Sequence, residues 1–354
     1  MALRCRPISR NATDPDGTAP SPPEKEPMKK RPFGKTGIDV SEVGMGCWQL
    51  GGADWGDVSE QQALDILAAA VDSGVTFLDA ADVYGSGRSE ELIGKFLKQR
   101  SEKIFVATKL GRTADLYPDK YTEAGLRAAT EASLRRLGVE TIDLTQLHCV
   151  PLEVIRRGDV FAWLRTLQQE GKIRHFGASV ESLEEAHVCL EQADLASLQI
   201  IFNIFRQRPI TELFPAVKEK GVAIIARLPL ASGLLSGKFT KDTVFGENDH
   251  RSYNRDGQVF NVGETFAGLP FDKGVELAEE MKVFVPDALS MGQMAQRWIL
   301  DFDEVSVVIP GARTVEQARE NASVSRLPEL PPQLHERLAR YYVSEVLPNI
   351  RGPY

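Results

Sequence analysis

The sequence predicts a parallel α/β fold, either a closed (β/α)8 barrel or an open doubly wound sheet, on three observations. Short β-branched runs alternate with amphipathic stretches from Ile38 onward. The runs recur about every 25 to 35 residues, the length of one strand–helix unit. Runs such as Ile104-Phe105-Val106-Ala107 are apolar without alternation, as strands buried on both faces are.

Taken in order, the first strand is expected at 40–46. It is followed by 76–80, 104–109, 142–148, 175–179, 198–203, 223–228 and 305–309, giving eight in all. Helical patterns lie between them at 59–73, 89–98, 123–137, 160–170, 183–192 and 213–220. Several stop at Gly74, Gly138, Gly171 or Gly221, where glycine accepts the left-handed cap conformation. Residues 232–270 form a long segment with several glycines before the last elements, and loops of that length are more often functional than incidental. Beyond Leu327, an apolar-periodic stretch at 333–345 predicts a closing helix.

Composition narrows the function. The chain has 354 residues, 42% hydrophobic and 26% charged, and a barrel needs roughly 250, so 28–354 is expected to form a single domain. A formal net charge of −8 opposes a nucleic-acid partner, because neutralising phosphates takes a basic surface. Four scattered cysteines (Cys5, Cys47, Cys149, Cys189) without a CxxC pair indicate a reducing compartment, with no disulfide framework and no zinc site. No apolar run approaches roughly 18 residues, so membrane insertion is not expected. Residues 1–27, with Arg4, Arg6 and Arg10 and then a proline-rich stretch, are expected to be a disordered extension. The alternative, a cleaved transit peptide, is opposed by Asp14 and Asp16. A cytoplasmic protein acting on a small molecule is therefore expected, with oligomerisation left open.

In parallel α/β folds the chemistry sits where strand C-termini meet the following loops. Three successive predicted strands end in polar residues there: Asp79, Lys109 and His148. Tyr84 follows Asp79 by one short loop. A buried lysine is costly unless an acid neutralises it, and Asp79 is placed to do so. The ammonium then lowers the pKa of a nearby phenol by stabilising phenolate. On this reading Tyr84 gives a proton to a carbonyl oxygen as a hydride reaches the carbon, and His148 hydrogen-bonds the same oxygen. Any one of these residues alone reads as a solvated terminus or as packing; their joint placement on consecutive strands is what carries the signal.

This pattern of Asp79, Tyr84, Lys109 and His148 resembles the aldo-keto reductase superfamily. The resemblance runs from about Arg31 to Asn321 and includes Phe33-Gly34-Lys35-Thr36-Gly37, Gly44-Met45-Gly46-Cys47-Trp48, Pro229 to Lys238, and Ile309-Pro310-Gly311-Ala312-Arg313. It implies the barrel rather than the open sheet, an NADP-dependent oxidoreductase, and NADPH lying extended across the barrel mouth. Within the matching segments it implies that Gly46, Cys47, Trp48, Ser179 and Gln199 meet the cofactor, the last two at the nicotinamide carboxamide. Pro229, Leu230, Ser232, Gly233, Leu234, Ser236 and Lys238 form a small, glycine-punctuated phosphate segment, whose backbone N–H groups suit a pyrophosphate. Gly311, Arg313, Gln317, Glu320 and Asn321 are implied at the adenosine end, where an arginine fork suits a ribose phosphate.

Two positions depart from the family pattern. Val180 stands where asparagine usually follows the serine, and Arg227 stands where an aromatic residue usually stacks on the nicotinamide. A guanidinium stacked there predicts weaker binding of NADP+ than of NADPH; the alternative is that Arg227 points away into a salt bridge. Trp48 and Trp55, with Tyr253 or Phe260 from the long loop, are expected to wall the substrate pocket. The alternative class of function is a cofactor-binding regulatory subunit on the same barrel with little turnover. A short-chain dehydrogenase is not favoured, because no Tyr-x-x-x-Lys helix follows a glycine-rich dinucleotide fold.

Overall fold

The computed structural model describes residues 27–52 and 54–354. Apart from Pro27, the extension expected at 1–27 lies outside the described residues.

The first element is one the sequence reading missed. Strands β1 (Lys30–Pro32) and β2 (Asp39–Ser41) pair antiparallel as a hairpin. At its turn, Gly34 has φ 54° and lies so close to the barrel that a Cβ would sit 2.7 Å from Gly221 O and Ala223 N. Next to it, Phe33 is fully buried, 5.7 Å from the Phe77 ring and 5.1 Å from that of Phe105. These rings join Ala223, Ile225 and Val307 in a separate core cluster. Phe77, Phe105 and Ala223 all begin strands, so the hairpin plugs the N-terminal end of the barrel. Burying one such ring stabilises the fold by about 1.5–3 kcal/mol.

The strand expected at 40–46 is therefore divided. Its first part belongs to the hairpin, and only β3 (Met45–Gly46) belongs to the barrel. Between them Ser41 Oγ donates to Val43 O at 2.7 Å, and Ser41 N donates to Thr76 Oγ1 at 2.9 Å. The buried Glu42 is held by Arg31 Nε at 2.8 Å and by Ser325 Oγ at 2.8 Å. The adjacent polar pair Ser41-Glu42 marks a corner inside the expected strand.

From β3 the sheet runs in sequence order through β4 (Phe77–Asp79), β5 (Phe105–Leu110), β6 (Ile142–His148), β7 (Ile173–Ser179), β8 (Ser197–Ile201), β9 (Ala223–Arg227) and β10 (Val305–Val308). Every neighbouring pair is parallel. Bridges from Val43 to Val308 and from Gly46 to Gly311 join the first strand to the last. That closure decides for the (β/α)8 barrel against the open sheet.

The surrounding helices include Glu60–Asp72, Glu123–Leu137, Asp159–Gln169, Leu183–Leu190 and Val315–Ser323. Ser59, Thr122, Ser182 and Thr314 cap four of them through side-chain oxygens, each satisfying an otherwise unpaired N–H. Gly74, Gly138, Gly171 and Gly221 all have positive φ, as their predicted place at helix ends requires. The closing helix is Pro332–Tyr341, and Tyr341 Oη anchors it to Leu277 O at 2.9 Å. Among the described residues no helix is long and apolar enough to cross a membrane.

Candidate active site

With the hairpin at one end, the opposite end of the barrel is the mouth, and the C-terminal strand residues form its floor. Asp79 ends β4 and Lys109 lies near the end of β5; they are 2% and 1% exposed, so neither charge has water to neutralise it. The ammonium uses all three of its donors: Asp79 Oδ2 at 2.6 Å, Ala80 O at 2.8 Å and Tyr84 Oη at 3.1 Å. Gln199 Nε2 donates to the other Asp79 oxygen at 2.7 Å. Asp79 therefore both neutralises and orients the lysine.

Since Lys109 donates to the Tyr84 oxygen, the proton of the phenol points elsewhere. The expectation of a lowered Tyr84 pKa is corrected in its net sign. Burial pushes the phenol above its ordinary value, and the opposing pull of Lys109 is the smaller effect. Burial also pulls Lys109 down, but Asp79 and Tyr84 together hold it above the usual lysine value. At neutral pH the site thus holds a protonated phenol beside an ammonium. His148 ends β6 with its ring edge-on to Tyr84, centroids 6.0 Å apart. Burial, then Arg112 and Lys109, drives its pKa well below 6.5, so the imidazole is neutral.

Other expected residues divide into those that meet at the mouth and those that do not. Ser179 and Gln199 are register partners across β7 and β8, and Ser179 Oγ and Gln199 Oε1 are buried without a hydrogen-bond partner among the described residues. Trp48 stacks on Tyr84 at 5.7 Å and donates from Nε1 to Asp54 Oδ2 at 2.9 Å. Pro229, Leu230, Ser232, Gly233, Leu234, Ser236 and Lys238 follow β9, and Gly311 bridges to Gly46 beside β3. The Cys47 and Leu234 side chains, however, lie in the hydrophobic core, so they are not among the side chains at the mouth. Arg313, Gln317 and Glu320 are exposed around the start of helix Val315–Ser323. Asn321 Nδ2 donates to Gly311 O at 3.1 Å, which ties that helix to the barrel rim.

Arg227 does not lie free to stack on a ring. Its Nη2 donates to Val180 O at 3.1 Å and lies 3.5 Å from Glu264 Oε1. Arg112 Nη1 meets the same carboxylate at 3.2 Å, and Arg112 Nη2 lies 3.6 Å from Glu181 Oε1. Cys149 Sγ is 3.5 Å from Glu264 Oε1. Sequence reading missed Arg112, Glu181 and Glu264 as site residues. Arg112 and Glu181 had a signal, each following a strand end by two residues; Glu264 sits in the long loop and had none.

The long loop also builds the opposite wall. Buried His250 lies 4.8 Å from the Trp48 ring and 4.5 Å from that of Trp55, and Tyr253 Oη donates to Asp54 Oδ1 at 2.7 Å. Backbone strain gathers around this end: Ser86, Cys149, Leu228, Ser232, Phe266 and Ala267 all have φ between 49° and 57°. Each such residue costs about 1–3 kcal/mol, so the surrounding structure must enforce it.

Closed barrel, buried acid–lysine–phenol group and neutral histidine define the class, and comparison with known proteins agrees. Residues 42–342 match the model of the aldo/keto reductase family. YqkF, an uncharacterised oxidoreductase of Bacillus subtilis (strain 168), is 32% identical over 311 residues, covering 85% of this chain and 94% of that protein. The NADH-specific methylglyoxal reductase of Escherichia coli (strain K12) is 29% identical over 314 residues, covering 84% of this chain and 93% of its own. The structure of a glycerol dehydrogenase from Gluconobacter oxydans superposes with TM-score 0.73 at 30% identity, covering 92% of this chain and 98% of that one. The chain belongs to the aldo/keto reductase family of oxidoreductases.

Proposed function

We propose that this protein reduces aldehydes or ketones to alcohols with NADPH, reversibly, and that Tyr84 is the proton donor. The observation that carries this reading is the Lys109–Tyr84 hydrogen bond, which leaves the phenolic proton free for a substrate oxygen. Tyr84 gives that proton to the carbonyl oxygen, and the Lys109 ammonium stabilises the phenolate left behind. Asp79 keeps the ammonium charged. His148, neutral, donates a hydrogen bond to the same oxygen and shares its developing charge.

The residues present fit a nicotinamide cofactor, which when bound supplies the hydride. Gln199 Oε1 and Ser179 Oγ, buried and unpartnered among the described residues, offer an acceptor and a hydroxyl to a carboxamide. The turn at Ala231–Ser236 and Lys238 would hold the pyrophosphate, with Arg313 at the adenosine end. NADPH is favoured over NADH because the exposed Arg313 guanidinium makes no ion pair among the described residues and precedes a helix N-terminus, a setting for a phosphate. Relatives of both kinds exist: the Escherichia coli protein is named NADH-specific, whereas a Schizosaccharomyces pombe relative is named with NADP(+).

The test is oxidation of NADPH, with NADH in parallel, against a panel of aldehydes and ketones. Faster turnover with NADPH on at least one carbonyl is expected. Failure to bind either cofactor defeats the reading.

A further inference from the structure

We propose that Glu264 sets how tightly the site holds oxidised relative to reduced cofactor, by neutralising Arg227 beside the reacting centre. The inference rests on the functional reading above and goes beyond it.

Strand order supplies the geometry. Arg227 ends β9, yet it donates to Val180 O just beyond β7, so its side chain crosses the end of β8. Gln199 lies on β8 and Ser179 immediately precedes Val180. The guanidinium also lies 3.9 Å from Cys149 Sγ, the residue following His148. It therefore lies at the ends of β6 and β7, against the residues that directly follow His148 and Ser179. A nicotinamide whose carboxamide meets Ser179 and whose ring meets His148 would pass close to these two contacts. Burial dominates the pKa of Tyr84, which it raises, and of His148, which it lowers, and the positive charge of Arg227 adds a smaller downward pull at each.

Hydride loss turns a neutral nicotinamide ring into a cation, so an uncompensated guanidinium beside it penalises the oxidised form alone. Glu264 supplies the compensation from 3.5 Å. Its carboxylate is almost wholly buried, which pushes its pKa up, but Arg112 and Arg227 outweigh burial and keep it ionised. Glu181 faces the same array. Burial and the Glu264 charge raise its pKa, so it is a reserve acid that ionises more readily if Glu264 is removed. Glu264 is thus a positioning residue, acting through Arg227, and the arginine alone does not set the preference.

The test is direct binding of NADP+ and NADPH to the full chain, by calorimetry or quenching of intrinsic fluorescence, without turnover. Glu264→Gln combined with Glu181→Gln, which removes the reserve acid, is expected to raise the ratio of the NADP+ dissociation constant to the NADPH constant by about tenfold or more. Arg227→Leu, with both acids kept, is expected to move the ratio the opposite way, to below the wild-type value. A merely structural role would weaken both cofactors alike and leave the ratio in place. An unchanged ratio in the double variant, or a shift of the same sign in Arg227→Leu, overturns the proposal. Should the double variant fail to fold, Glu264→Gln alone replaces it, with a smaller rise of the same sign expected and a fall in the ratio overturning the proposal. Binding of neither cofactor to the wild-type protein defeats the functional reading and this inference with it; binding with an unmoved ratio defeats the inference alone.

Discussion

The mouth of the barrel has two unlike walls. On one side Trp48, Trp55 and His250 pack ring against ring, and burial pushes the His250 pKa down to about 4, so these three rings carry no charge at neutral pH. On the other, Arg112, Arg227, Glu181 and Glu264 place four ionisable groups within a few ångströms of one another. The aromatic wall offers shape and excludes water; the charged wall offers a field. Changes to the first should alter which carbonyl fits, and changes to the second should alter which charge state is favoured. One loop serves both, since His250, Tyr253 and Glu264 all belong to the segment that crosses the mouth.

The largest effect is expected where the two walls share a floor. Lys109→Met should lower kcat/KM by about 1,000-fold, because the phenolate then loses its counter-charge. It also strands the Asp79 charge in the interior, at a cost of about 3–5 kcal/mol. Adding Asp79→Asn should recover much of the stability and none of the turnover, which thermal melts and steady-state rates would separate. Recovered turnover would show that the ammonium matters only as a structural partner.

A change confined to the aromatic wall tests whether the walls are separable. Trp48→Ala should lower kcat/KM for bulky carbonyls roughly 10- to 100-fold, through lost stacking and a looser Tyr84. The preference between oxidised and reduced cofactor should not follow. A changed preference, measured by binding, would mean that the aromatic wall also sets the field.

The smallest effect lies below both walls. Asp82 donates its backbone N–H to Lys109 O at 3.1 Å, while both of its carboxylate oxygens are buried without a partner among the described residues. Burial, with Glu90 nearby, raises its pKa to about 7. A carboxyl raised on folding contributes stability that is fully present below its unfolded pKa near 3.8 and is lost as pH rises through about 7. The penalty at pH 8 is at most about 4 kcal/mol. Asp82→Asn should therefore raise Tm by a few degrees at pH 8 and by much less at pH 5. Equal shifts at both pH values would place the effect in packing.

How much of this was legible depends on the kind of interaction. The barrel rhythm and the helix-ending glycines are local properties of short windows, and they stand in the structure nearly where the sequence put them. Asp79, Lys109 and His148 stood out because polar residues at the ends of buried strands have few other uses. The hairpin was hidden because its strands are three residues each, and the corner at Ser41-Glu42 sits inside one short run from Val40 to Gly46. The charged wall was hidden because it is assembled across the chain: Arg112 and Glu264 are 152 positions apart, and the loop carrying the acid has no periodicity. Arg227 shows the limit most clearly. Its position at a strand end could be read, but its ion pair depends on a partner that no local pattern announces.

The central claim is that Tyr84 delivers the proton. Its most direct test is Tyr84→Phe, with cofactor affinity and carbonyl reduction measured on the same preparation. Nearly unchanged NADPH binding with turnover reduced by about 100- to 10,000-fold is the expected result. Turnover within a few fold of the wild-type rate, with the cofactor still bound, would show that another group supplies the proton.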